Sequence, residues 1–179
     1  MSIDDKAIVQ AIRERTEVGF RLLMQKYMQP IYWHIRRLVV SHDDAQDATQ
    51  EVFIRVLRSF NQLKDEQSFK GWLFRIATNK ALRLIESRKQ NQVSIEAECS
   101  EVNSIITDSY VDYSDLEAVK LQNAIKTLPS KQQLAFNLRY YDDLSYDEIA
   151  EVIGSSPSSA KVNFHIAKDK IIKYMNSNE

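Results

Sequence analysis

Apolar residues recur three and four apart along most of this chain, and nowhere do they alternate with the period of two that a half-buried strand requires. A short first helix is predicted over Asp4–Arg15. Thr16 is placed to cap a longer second one, whose inner side collects Phe20, Leu23, Tyr27, Ile31, Ile35 and Leu38. Pro30 falls inside it, removes one donor from the ladder and favours a bend. A third helix follows over 41–60, with Ala45, Ala48, Val52, Val56 and Leu57 predicted inward and Phe53 and Phe60 flanking them. Residues 61–68 are polar and turn-like. Ser68 can then cap a fourth helix with Trp72, Leu73, Ile76, Ala77, Leu84 and Ile85 on its apolar side. Residues 90–112 show no helical stripe.

Beyond them Ser114 and Glu117 have the spacing of a capping box, and Leu116, Leu121, Ala124, Ile125 and Leu128 make the apolar side of another helix, ended by Pro129. The stretch Ser130–Tyr174 then reads as three helices with their punctuation. Ser130 with Gln133, and Ser145 with Glu148, are spaced as capping boxes. Gly154 suits a left-handed helix stop, and Ser156-Pro157 suits a restart as N-cap and first helical residue. Ile149, Ala150 and Ile153 form the inner side of the middle helix; Ala160, Phe164, Ala167 and Ile171 form a single stripe on the last. Ala150, Gly154 and Ala160 are spaced for a close crossing of the two. Two short helices joined by a tight turn make a helix-turn-helix. The fold class is therefore all-α: two small helical domains joined by an acidic linker, the C-terminal one a helix-turn-helix.

Charge sharpens the division. The net charge of the 179 residues is −1. Residues 1–89 carry 16 Lys/Arg and 11 Asp/Glu, a net of +5; residues 90–118 carry seven acids and no cation; residues 119–179 carry eight cations and seven acids. An acidic stretch between two neutral-to-basic blocks marks a boundary, giving domains at 1–89 and 113–179 with a linker at 90–112. The single cysteine, Cys99, excludes an internal disulfide framework and a cysteine-rich zinc site, and has no basic neighbour to make it a redox sensor. No apolar run is long enough for a signal peptide or membrane span, so a cytoplasmic product is expected.

The side of the last helix opposite its apolar stripe carries Ser158, Ser159, Lys161, Asn163, His165 and Lys168, short donors and cations of the kind that contact phosphates and base edges. From Ser156 to Met175 the net charge is +3. DNA binding is the reading this favours; a lysine-rich solvated face is the alternative. On the third helix Asp44, Asp47 and Glu51 precede Arg55 and Arg58, an order that suits the helix dipole without any partner.

The segment IAEVIGSSPSSAKVNFHIAKDKI resembles the C-terminal promoter-binding domain of bacterial sigma factors, in particular the short extracytoplasmic-function (ECF) type. A Thr-Val-Lys-Ser-Arg-like run is usual across Ser159–Asn163; this chain keeps Lys161, has Asn163 where arginine is common, and places Pro157 one position late. The stretch Asp44-Ala-Gln-Asp47…Gln50-Glu51-Val-Phe53 is similar to the family signature that grips the clamp helices of the largest polymerase subunit. The resemblance spans essentially the whole chain. It implies a subunit that binds core RNA polymerase through Asp44, Asp47, Gln50 and Glu51, and that reads the −35 duplex through the last helix. It further implies that the 61–68 loop captures an extruded −10 base, with Asn61, Gln62 and Lys64 as candidate contacts. Asn79, Lys80 and Arg83 on the helix that follows would line the unpaired strand. A pocket for a flipped base must offset an unstacking cost of a few kcal/mol. Trp72 and Phe74 suggest a melting wedge, but tryptophan at helical spacing is the pattern of a core residue, and core is the reading for Trp72. The linker would thread the polymerase cleft. Core polymerase and promoter DNA are the implied partners, with an anti-sigma factor as a further candidate; no cofactor is implied.

Two rivals remain open at this point. A free-standing helix-turn-helix regulator would require a palindromic target and a self-associating first domain. A protein-binding adaptor would not touch DNA at all. An enzyme fits worst: His34, His42 and His165 lack metal-ligand spacing and read as surface or helix-face residues, and no glycine-rich phosphate loop exists.

Overall fold

The computed structural model describes residues 3–39, 41–96 and 115–177, and every regular element among them is helical. The chain divides into two compact units, Met1–Ile106 and Thr107–Glu179. Cys99, Ser114 and the part of the predicted linker over 97–112 lie outside the described residues.

The first unit comprises α1 (Asp5–Glu14), α2 (Thr16–Leu38), α3 (His42–Ser59) and α4 (Phe69–Glu96), with two single-turn 3₁₀ segments, Phe60–Gln62 and Glu66–Ser68, between α3 and α4. α1 buries Ile8, Val9 and Ile12 against α2. The two backbones meet at Gly19, where an added Cβ would stand 2.2 Å from the Ile12 amide nitrogen, so no larger residue fits there. Asp5 ties the other end of α1: it accepts from the Tyr27 hydroxyl at 2.8 Å and from Lys26 Nζ at 2.6 Å. Leu23, Ile31 and Ile35 of α2, Val52 and Val56 of α3, and Leu73 and Ala77 of α4 form a core from which water is excluded. α2 runs past Pro30 as one helix.

Several local expectations are corrected here. Thr16 does not cap α2: it is the first helical residue, and its hydroxyl donates back to the Ile12 carbonyl. Ser68 does not cap α4; it closes the second 3₁₀ turn by donating to the Asp65 carbonyl, while Asp65 caps that turn through the Gln67 amide. Leu57 is 45% exposed, and its inward place is taken by Phe53 and Thr49. His34 is buried rather than on a surface: its Nε2 meets Thr78 Oγ1 at 2.8 Å, and its ring lies edge-on to Phe74. Phe74 is itself fully buried, which removes it as a melting wedge, and half-buried Trp72 packs beside Phe60 and Phe69.

The second unit holds α5 (Leu116–Lys126), α6 (Ser130–Tyr140), α7 (Tyr146–Ile153) and α8 (Pro157–Asn176). Asp115 caps α5 by accepting from the Glu117 and Ala118 amides, the role predicted for Ser114, and Leu116 is 78% exposed instead of packed. Ser130 is the first residue of α6, not its cap, because Pro129 stands in the cap position without a side-chain donor or acceptor. The box at Ser145 and Glu148 forms in both directions. Ser156 caps α8 through the Ser159 amide, with Pro157 at the first helical position. Gly154 ends α7 at φ +65°, and nothing lies within 4 Å of where its Cβ would be. Its purpose is therefore the left-handed turn, not a close helix crossing. Ala167 and Ile171 are buried in one cluster with Ala124, Ile125, Leu128 and Phe136, and Ala160 is buried as well; Phe164 is half-buried, its ring stacked 6.0 Å from Phe136.

Candidate nucleic-acid interface

Packing three apolar positions of α8 inward dictates which residues turn out. Ser158, Lys161, His165 and Lys168 are exposed along one side of the helix. Ser159 and Asn163 are not on equal terms with them: both are half-buried, and the Asn163 amide donates to the Ser159 carbonyl at 2.9 Å. Their polar groups are thus partly engaged within the helix. Val162, 54% exposed, stands among the cations and was not among the predicted contacts. An exposed methyl-bearing side chain there can meet a thymine methyl, as small apolar groups do in a major groove. The signal for it was present in the stripe spacing, since 162 falls between the inward positions 160 and 164.

The 3₁₀ pair between α3 and α4 is anchored by Phe60, Leu63 and Phe69, all buried. That leaves Asn61, Gln62 and Lys64 exposed, and none makes a side-chain hydrogen bond among the described residues. α4 sorts its polar residues onto two sides. Arg75, Asn79 and Arg83, four apart, are exposed together. Lys80 belongs to the other side, half-buried and paired with Glu51 of α3. Arg75 was missed in sequence because it lay among apolar neighbours; its four-residue step to Asn79 is the signal that identifies it.

On α3, Asp47, Gln50 and Glu51 form an exposed strip that continues into Ile54 and Leu57, 49% and 45% exposed. Asp44 sits at the edge of that strip. It is half-buried and ion-paired with Arg88 of α4. The pairs Asp44–Arg88 and Glu51–Lys80 run in opposite chain directions, as antiparallel helices require. Among the described residues no group of three or more His, Cys, Asp or Glu side chains is arranged to hold a metal ion, and no helix is long and apolar enough to cross a membrane.

Each of the two units contains a family match. Sigma-70 region 2 matches residues 23–91, and Sigma-70, region 4, matches residues 118–171. The chain belongs to the sigma-70 family, as an ECF-type member. Over 178 residues it is 26% identical to the ECF RNA polymerase sigma-E factor of Haemophilus influenzae, with 94% of both chains covered. It is 27% identical to the RNA polymerase sigma-H factor of Pseudomonas aeruginosa, covering 94% of this chain and 92% of that one. Among solved structures, CnrH in complex with the cytosolic domain of CnrY shares the fold at a TM-score of 0.72 and 16% identity, covering 98% of this chain and 99% of that one. The sigma factor RpoE of Bartonella quintana, solved with the anti-sigma factor NepR, does so at 0.70 and 19%, over 89% and 98%. Within this sigma factor the region 2 match begins at Leu23, so α1 and the start of α2 precede it. The match takes in α3 and the 60–68 loop and reaches residue 91 of α4. The region 4 match covers all but the ends of the α5–α8 unit.

Proposed function

We propose that this ECF sigma factor engages core RNA polymerase through Asp44, Asp47, Gln50 and Glu51 of α3. In the same reading, Asn61, Gln62 and Lys64 present hydrogen-bonding groups to a −10 base, and Asn79 and Arg83, joined by Arg75, line the unpaired strand. Lys80 contributes there only when released from Glu51. The −35 duplex meets Ser158, Lys161, His165 and Lys168, with Ser159 and Asn163 supporting the helix start. In the same reading the functional domains are 1–89 and 113–179 about a linker at 90–112, the first seven residues of which continue α4 as helix rather than lacking one. The protein acts in the cytoplasm, carries no catalytic group of its own, and is a candidate for capture by an anti-sigma factor, since both structural relatives above were solved with a second protein bound.

The observation that carries this is the order of the two matches: a region 2 unit followed by a region 4 unit in one chain. Few exposed cations lie on either DNA-facing side, so affinity for free DNA should be modest at physiological salt. The polymerase supplies the remainder by presenting both units to one promoter, which raises the effective concentration of each for its element. The test is run-off transcription with purified core polymerase and genomic fragments, followed by start-site mapping. Transcripts that begin at discrete sites only when the chain is added are expected; their absence overturns the reading.

A further inference from the structure

We propose that Arg13 is a positioning residue for the 60–68 loop: from the last turn of α1 it holds Glu66, so that Asn61, Gln62 and Lys64 meet an unpaired base in one geometry. The inference rests on the reading of that loop as the −10 capture site. Arg13 Nη1 and a Glu66 carboxylate oxygen are ion-paired across 53 residues of sequence. The loop has two halves of different character. Its second half is tied down three times, by the Asp65 cap on the Gln67 amide, by the Ser68 hydroxyl on the Asp65 carbonyl, and by Arg13. Its first half carries the three exposed polar side chains that have no partner among the described residues.

The brace transmits position because α1 itself is fixed. Three buried aliphatic residues seat it on α2, the Gly19 contact leaves no space for it to slide, and Asp5 is held at its other end by Lys26 and Tyr27. Arg13 also lies in the last turn of α1, where a cation is favoured by the helix dipole. A binding group gains rate when the elements behind it lock its geometry beforehand. Both partners are substantially exposed, which limits the effect to that of a surface pair. α1 precedes the region 2 match, so this support comes from outside the matched segment.

The test uses the full chain with core polymerase and a fork-junction template carrying the −10 element of a promoter mapped by run-off transcription, with a fluorescent base analogue at the unpaired position. Arg13→Gln and Glu66→Gln are each expected to slow base capture about two- to five-fold. Polymerase co-elution and discrimination among −35 variants should not move. The double reversal, Arg13→Glu with Glu66→Arg, should restore most of the rate, which a merely destabilised fold would not do. Failure of that reversal to restore capture overturns the brace. So does normal capture by both single variants alongside slow capture by the combined Asn61→Ala, Gln62→Ala and Lys64→Ala chain. If that triple variant also captures normally, the loop reading has failed and the brace with it.

Discussion

Lys80 of α4 and Glu51 of α3 form an ion pair across 29 residues, joining a candidate DNA contact to a candidate polymerase contact. The Glu51 side chain is 59% exposed and that of Lys80 27%. A pair that open to solvent contributes about 0–1 kcal/mol, little enough for a cationic partner surface to displace it. Asp44 and Arg88 repeat the arrangement further along the same two helices. The acids on α3 therefore have two sources of cations to choose between.

Reversal of Asp47 and Glu51 to lysine should abolish co-elution with core polymerase while helicity by circular dichroism stays near wild type. Truncating one side of a charge pair buried in an interface costs roughly 2–5 kcal/mol. Adding Lys80→Glu to that chain restores the α3–α4 pair without restoring an acidic strip, so co-elution should remain lost. Recovery with the third substitution would mean that the first two acted by disturbing α4.

The two sides of α4 should separate by salt. Arg75→Ala and Arg83→Ala are each expected to reduce the dependence of single-strand binding on log salt by about 0.7, the value for one phosphate contact on single-stranded DNA. Lys80→Ala should change it less, because that ammonium already faces Glu51. Equal slopes for all three variants, measured by fluorescence titration at several salt concentrations, would place Lys80 on the strand instead.

On α8, Lys161→Ala tests whether the contact is to a base or to a phosphate. A bidentate base contact is worth about 1–3 kcal/mol of discrimination, whereas a phosphate contact weakens all sequences alike. Val162→Ser should relax preference at one A·T position if its methyl groups meet thymine. Transcription from a library of −35 variants at two salt concentrations reads out both. Phe136→Ala is the folding control: its ring is 4% exposed and lies against Phe164 and Tyr140, so its removal should cost about 3–5 kcal/mol and lose every −35 sequence together.

The two structural glycines should respond differently to alanine. Gly154→Ala meets open space but must hold φ +65°, a strain of about 1 kcal/mol, and Gly154→Asn should cost less. Gly19→Ala must push α1 from α2 and should cost about 1–3 kcal/mol or more. Thermal melting ranks the three variants; a milder loss at Gly19 than at Gly154 would contradict the observed contact.

The sequence by itself determined the helices, their order and the family. Those properties rest on signals carried by near neighbours: the Ser145–Glu148 box, the Gly154 stop and the Ser156-Pro157 restart form as read, and the three- and four-residue stripes hold in the main, with Leu57 and Leu116 exposed. Where a cap was misjudged, at Thr16, Ser68 and Ser130, the neighbouring turn had already used the hydroxyl or moved the helix start by one residue. What only tertiary structure decided was which polar residues remain available. Periodicity assigns a residue to a side of its own helix but not to what stands opposite it. Lys80 was therefore grouped with Arg83 until α3 placed Glu51 against it, and His34 read as a surface residue until α4 brought Thr78 to its ring. Arg13 and Glu66 gave no signal at all, because an ion pair across 53 residues exists only once α1 has been packed beside the loop.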